Sequence, residues 1–377
     1  MADSFFDSPL EFGSAPMGRA ARPPRDQGPT SIVNFQGNAP LCSMLDQMAA
    51  TGRIPQALLF SGPEGIGKAT LARRFAAVLL DETAKIEADD LALPENKERI
   101  EERMSLASDK RADDPLFFAT HPDFLTFPPE GPLHQISIQQ IRLLKEHAQF
   151  APNRGKRRVF LIDELDRANE QAANSLLKIL EEPPPYLLLI ATVTNSFDIL
   201  PTIRSRSVMF TLNRLPDKDV EDFLLARGVP AKEASERARL ATGCPGLAAT
   251  MDLAARRRHA EAMLTLLEVA AGRKPFTEWV RISEASVAKK TERLEPYLET
   301  LLTLLQDLLH LRAGGPLMRF PEYRSVLEGI AGRTDLQWVK RASDKAEQTQ
   351  RFIRRNAQKT AALDDMAMEL FQASLAR

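Results

Sequence analysis

Three stretches hold residue types whose spacing can do chemistry. The first is Gly62-Pro63-Glu64-Gly65-Ile66-Gly67-Lys68-Ala69-Thr70, set between an apolar run, Ala57-Leu58-Leu59-Phe60, and an amphipathic segment over 71–80. Strand, glycine loop and helix in that order make a phosphate-binding loop. Its glycines let backbone N–H groups turn inward around phosphate oxygens, and the helix N-terminus adds partial positive charge. Lys68 would reach the terminal phosphates. A Ser or Thr hydroxyl is expected directly after the Lys as a magnesium ligand. Ala69 stands there instead, and Thr70 lies one residue further round the helix, so the metal chemistry of this loop is impaired.

The second stretch is Val159-Phe160-Leu161-Ile162-Asp163-Glu164, an apolar strand ending in two carboxylates. Downstream of a phosphate loop, the first carboxylate would hold magnesium and the second would activate the attacking water, the arrangement called Walker B. The third is Tyr186-Leu187-Leu188-Leu189-Ile190-Ala191-Thr192-Val193, a strand that ends at Thr194-Asn195. Asn195 either senses a γ-phosphate there or simply ends the strand in a turn, and the residues leave both readings open.

The elements that must position these groups alternate between strand and helix. Helices are expected over 39–50 and 136–150, with a short strand at Phe124-Leu125-Thr126-Phe127. The charge-rich stretch 81–114 reads as a solvated helical insertion. His121-Pro122-Asp123 reads as a turn, and Asn153-Arg154-Gly155-Lys156-Arg157-Arg158 as a solvated basic tip in preference to a phosphate-contacting patch. Past position 213 the pattern is wholly helical. Leu294, Leu298, Leu301, Leu302, Leu305, Leu308 and Leu309 form one wide apolar stripe, and Val326, Leu327, Ile330, Phe352, Ile353, Met366, Leu370 and Phe371 mark further helix faces.

A chain of 377 residues exceeds one ordinary core and implies two or three domains. Its 50 basic and 51 acidic residues argue against a general nucleic-acid coat. Two cysteines, Cys42 and Cys244, are too few for a disulfide framework or a zinc module, which suits a reducing cytoplasm. The five histidines are scattered, so no metal site is assigned. No apolar run suggests a membrane span and no secretory pattern opens the chain. Residues 1–30 mix Pro, Gly, Ser, Arg and Asp without periodicity and read as a disordered leader.

The run from Asn169 through Leu176-Leu177-Lys178 to Glu181-Glu182-Pro183-Pro184, together with Leu200-Pro201-Thr202-Ile203-Arg204-Ser205-Arg206, resembles clamp-loader subunits of the AAA+ superfamily. With His121-Pro122-Asp123 and the loop ending Lys68-Ala69-Thr70, the likeness is to the delta-prime family of the bacterial DNA polymerase III clamp loader, over about residues 31–250.

The resemblance implies an α/β plus all-α chain. A P-loop AAA+ domain with a parallel sheet would span 31–212, a small helical lid 213–272 and a C-terminal helical collar for oligomerisation 273–377. It implies a hetero-pentamer with gamma/tau-like motor subunits and a delta-like subunit, which places a sliding clamp on primed DNA. Arg206 matches the arginine finger of the family's Ser-Arg-Cys motif, with Ser207 in place of Cys. Such a finger works in trans, in the ATP site of a neighbour.

Gly62, Gly65, Gly67, Lys68, Ala69, Thr70, Asp163, Glu164 and Asn195 would form the chain's own nucleotide site for ATP or ADP, in degenerate form. Besides Ala69, Leu247 stands where the family's sensor-2 Arg would contact phosphate, and the zinc module of many relatives is missing. These departures imply a non-motor stator. The competing expectation is an active AAA+ ATPase, either the motor of the same loader or a related remodelling enzyme.

Overall fold

The computed structural model describes residues 31–283, 294–315, 318–354 and 359–375; the leader expected over 1–30 lies outside the described residues. Helix α1 (Ala39–Thr51) precedes β1 (Ala57–Ser61), and α2 (Lys68–Leu80) follows the glycine loop. After the insertion helices α3 (Ala84–Glu87), α4 (Pro94–Ser105) and α5 (Ser108–Asp113) come β2 (Phe124–Phe127), α6 (Ile138–Ala148), β3 (Arg158–Ile162) and α7 (Glu170–Glu181). Strand β4 (Leu187–Val193), α8 (Pro201–Ser205) and β5 (Val208–Thr211) complete the sheet, whose order is β2-β3-β4-β1-β5. Every pairing is parallel.

Strands β1, β3 and β4 are buried along their whole length, as expected of parallel strands covered on both faces. Alternate residues then serve alternate layers. Leu59, Phe160, Ile162, Leu189 and Ala191 pack with Ile141 and Leu144 of α6 and Leu176 of α7. Leu58, Phe60, Val159, Leu161 and Ile190 pack with Leu45 of α1 and Leu71 and Phe75 of α2. Ser137 and Gln140 close a reciprocal cap on α6, so that helix starts two residues after the expected Ile136.

The 81–114 insertion is helical but not merely solvated. Arg103 pairs with Glu130 at 3.1 Å and with Asp114 at 3.2 Å, and the Asn96 amide donates to the carbonyls of Ala88 and Asp90. His121 and Asp123 are buried rather than ordinary turn residues. Asp123 accepts the N–H groups of Asn153 at 2.7 Å and Arg154 at 2.8 Å, which pins the basic tip to the sheet. Arg158 in that tip is itself buried and donates to the Phe150 and Pro122 carbonyls.

The helical half comprises α9 (Asp217–Leu225), α10 (Ala231–Leu240), α11 (Pro245–Thr250), α12 (Leu253–Ala270), α13 (Phe276–Ile282), α14 (Glu295–Arg312), α15 (Arg324–Ala331), α16 (Leu336–Arg354) and α17 (Lys359–Leu375). One apolar cluster runs from Val220 in α9 to Leu370 in α17. The α14 stripe supplies Leu298, Leu301, Leu305 and Leu308 to it fully buried, and Leu302 and Leu309 partly. Buried Asp307 accepts the N–H groups of Arg319 and Phe320, both at 2.7 Å, and holds the connection after α14 against that helix. Phe352, expected on an apolar face, is 51% exposed.

Candidate nucleotide site

The glycine loop follows β1 and ends at α2, with Gly65 and Gly67 at positive φ. Lys68 does not extend from it. Its ammonium donates to the Gly62 carbonyl at 2.7 Å and the Pro63 carbonyl at 3.0 Å, so it closes the loop on itself. Burial pushes the Lys68 pKa down, against the pull of Asp163, Asp166 and Glu164. The loop is also capped from the helical half. The Gly246 N–H donates to the Gly65 carbonyl at 2.8 Å. A Cβ added at Gly65 would meet the Leu247 nitrogen at 2.5 Å, so only glycine fits there. Leu247 thus rests on the loop that a sensor-2 Arg would serve. Ala69 packs into the apolar cluster under α2, and Thr70 is half-buried in the same first turn.

Asp163 and Glu164 follow β3 directly, but neighbouring side chains engage both. The Thr192 hydroxyl of β4 donates to Asp163 at 2.6 Å and accepts the Glu164 N–H at 2.9 Å. Burial pushes the Asp163 carboxyl up, and the adjacent Glu164 charge adds to the shift. Glu164 has φ +52°, uncommon for a residue with a side chain. Its carboxylate pairs with Arg167 and lies 3.4 Å from His134 Nε2. Burial opposes its ionisation, but the His134 hydrogen bond and the Arg167 guanidinium outweigh that and hold its pKa well below the usual carboxylate range. Arg167 also reaches Glu295 at the start of α14, at 3.8 Å. Asn195 Oδ1 accepts the Phe197 N–H at 3.1 Å and caps a turn, while the residue also lines the cleft beside Glu64 and Leu247.

Arg206 lies elsewhere. It follows α8 and, with Pro55, Gln56, Pro183 and Leu187, lines a hollow at the N-terminal ends of β1 and β4. The glycine loop leaves the C-terminal end of β1, so the sheet separates Arg206 from the chain's own Lys68. Its guanidinium meets Glu181 at 3.1 Å and the Thr202 carbonyl at 3.2 Å, with 37% of the side chain exposed. Such an exposed pair contributes little and yields readily to a better partner.

Sequence reasoning missed Thr192, Arg167 and His134. Thr192 had a signal, a hydroxyl inside an otherwise apolar strand, and Arg167 stands three residues after Glu164. Nothing near His134 announced its approach to Glu164. Among the described residues, no group of three or more His, Cys, Asp or Glu is gathered to hold a metal, and no helix is long and apolar enough to cross a membrane.

The strand order, the glycine loop after β1 and the carboxylate pair after β3 define a P-loop AAA+ domain, continued by a helical region. The family described as "DNA polymerase III, delta subunit" matches residues 37–216. The DNA polymerase III subunit gamma of Buchnera aphidicola subsp. Schizaphis graminum is 28% identical over 200 residues, covering 52% of this chain and 48% of that protein. The subunit delta' of Pseudomonas aeruginosa is 30% identical over 206 residues, covering 54% and 57%. Among solved structures, a DNA polymerase III gamma subunit-related protein of Thermotoga maritima aligns with a TM-score of 0.38 at 16% identity, over 88% of this chain and 99% of that one. The chain spans about half the length of these two curated relatives. The sequence matches make the first half of the chain similar to clamp-loader subunits of DNA polymerase III.

Proposed function

We propose that this chain is a delta-prime-like stator subunit of the bacterial DNA polymerase III clamp loader, working in the cytoplasm. In this reading it joins gamma/tau-like motor subunits and a delta-like subunit in a hetero-pentamer that loads a sliding clamp on primed DNA. Its own contribution to chemistry is Arg206, donated to the ATP site of a neighbour, where a guanidinium stabilises the charge that develops on the transferring phosphoryl group. The observation that carries the reading is the opposition of two sites. The chain's own loop is closed by Lys68, Gly246 and Leu247, while Arg206 is half-exposed at the far end of the sheet.

ATP or ADP fits the chain's own site poorly. A nucleotide there would have to displace Lys68 from two carbonyls and Leu247 from Gly65, without a hydroxyl at Ala69 to help hold magnesium. Turnover would further need Glu164 to leave Arg167. A second reading, an active motor ATPase, draws on the gamma relative matched above and on the retained Lys68, Asp163 and Glu164.

ATP turnover separates the two. It would be measured for the full chain alone and in a loader reconstituted with motor and delta-like partners, clamp and primed DNA, each with native protein and Arg206→Ala. A silent isolated chain, with turnover at the neighbouring site lowered by on the order of 10³-fold in the variant, is the expected result. Brisk turnover by the chain alone, abolished by Lys68→Ala, would establish the motor instead.

A further inference from the structure

A cleft of about 520 Å³ opens where the glycine loop, α11, α12 and the collar helices meet. The loop contributes only Pro63 and Glu64, and neither Lys68 nor Asp163 lines it. Most of its wall belongs to the helical half, and one residue of that wall is unexplained by packing. Arg256, in the first turn of α12, is 7% exposed. Its Nε is buried with no hydrogen-bond partner, and among the described residues no ion pair reaches its guanidinium. Burial pushes the Arg256 pKa down, and the charge of Glu299 only partly offsets it. The other two arginines of the cleft are engaged: Arg214 donates to the Thr242 carbonyl and hydroxyl, and Arg319 pairs with Asp217.

A guanidinium whose Nε is buried without a hydrogen bond is costly, and removing it would relieve the fold unless a ligand repays the desolvation. Its planar fork suits an oxyanion held by two parallel bonds. The acidic residues of the wall, Glu64, Asp198, Glu299 and Glu347, disfavour a bare anion, and Glu64 and Asp198 can accept hydrogen bonds from hydroxyl or amino groups. We propose that this cleft binds a small phosphate ester carrying hydroxyl or amino groups, such as a nucleotide, with its phosphate on Arg256 and outside the glycine loop. The site is read from this chain alone and does not depend on the ring assignment.

Calorimetric titration and thermal melting of the full chain with inorganic phosphate, AMP and ADP would test it, using native protein, Arg256→Met, Arg256→Lys and Lys68→Met. AMP or ADP should bind more tightly than phosphate and raise the melting midpoint. Arg256→Met should weaken binding about tenfold or more, the loss of one charge-assisted pair, with Arg256→Lys in between. Without ligand, Arg256→Met should melt at or above the native midpoint, and Lys68→Met should keep the binding. Binding that follows Lys68 instead of Arg256 would assign it to the glycine loop and overturn the proposal. So would no binding by any probe, or an Arg256→Met chain that melts several degrees lower. Phosphate binding as tightly as AMP would overturn the ester preference.

Discussion

The two ends of the parallel sheet hold their polar side chains in opposite ways. At the C-terminal ends of β1 and β3, each group that could handle a nucleotide is tied to a neighbour: Lys68 to loop carbonyls, Asp163 to Thr192, and Glu164 to Arg167 and His134. At the N-terminal ends, Arg206 is held, among the described residues, by an exposed carboxylate and one carbonyl. A group tied by buried bonds is committed to its own fold, whereas a half-exposed one can turn to a partner. The contrast teaches that a retained motif residue is not the same as an available one.

The largest effect should come from the free end. Arg206→Ala should lower turnover at a neighbouring site by on the order of 10³-fold, yet shift the chain's own stability by no more than about 0.5 kcal/mol. Chemical denaturation of the isolated variant beside turnover of the reconstituted loader checks both halves. A large loss of stability would make Arg206 structural and collapse the distinction between the two ends.

Glu164→Gln should show the reverse balance. It leaves Arg167 with a weakened partner in a mostly buried setting, at a cost of about 2 kcal/mol. The pH dependence has a definite sign. The folded pKa of Glu164 lies below its unfolded value, so its stabilisation is present above the ordinary carboxylate range and is lost as pH falls through the folded value. Native and variant stability should therefore converge in acid. An unchanged difference across that range would show that Glu164 is not the group holding Arg167.

Asp163→Asn should act in the opposite direction. Burial raises the folded pKa of Asp163, so ionisation costs stability progressively as pH climbs from the unfolded value to the folded one. The amide keeps the shape and can still accept from Thr192, so the variant should gain about 1 kcal/mol at neutral pH and nothing in strong acid. In a working metal site the same change would chiefly abolish activity. A loss of stability at neutral pH would mean that Asp163 is needed there as a charge.

Much of the sheet was legible because parallel strands read as apolar runs and the glycine loop has a fixed context. Ala69 and Leu247 were visible as departures at known positions, and Arg206 as a motif residue. What was hidden arises from distance in sequence. Gly246 reaches Gly65 from the helical half, and Asp123 holds a tip thirty residues away. The left-handed backbone of Glu164 has no sequence signal at all. His121 looked like a turn residue because a lone His gives no hint of burial. Helical periodicity misplaced Phe352, since an apolar position near a helix end need not meet the core.

The smallest effect is the most exacting for the comparison. Ala69→Ser restores the hydroxyl whose absence first suggested a degenerate site. If that hydroxyl were the sole defect, turnover by the isolated chain would rise well above background. The geometry gives three further obstacles that serine leaves in place: Lys68 bonded to Gly62 and Pro63, Leu247 seated on Gly65, and Glu164 paired with Arg167. None of them depends on the side chain at position 69. Ala69→Ser should therefore remain silent in a steady-state phosphate-release assay and fold as the native chain does. Measurable turnover would show that the loop opens on its own and that one missing oxygen, rather than the closed arrangement, keeps this end of the sheet from working.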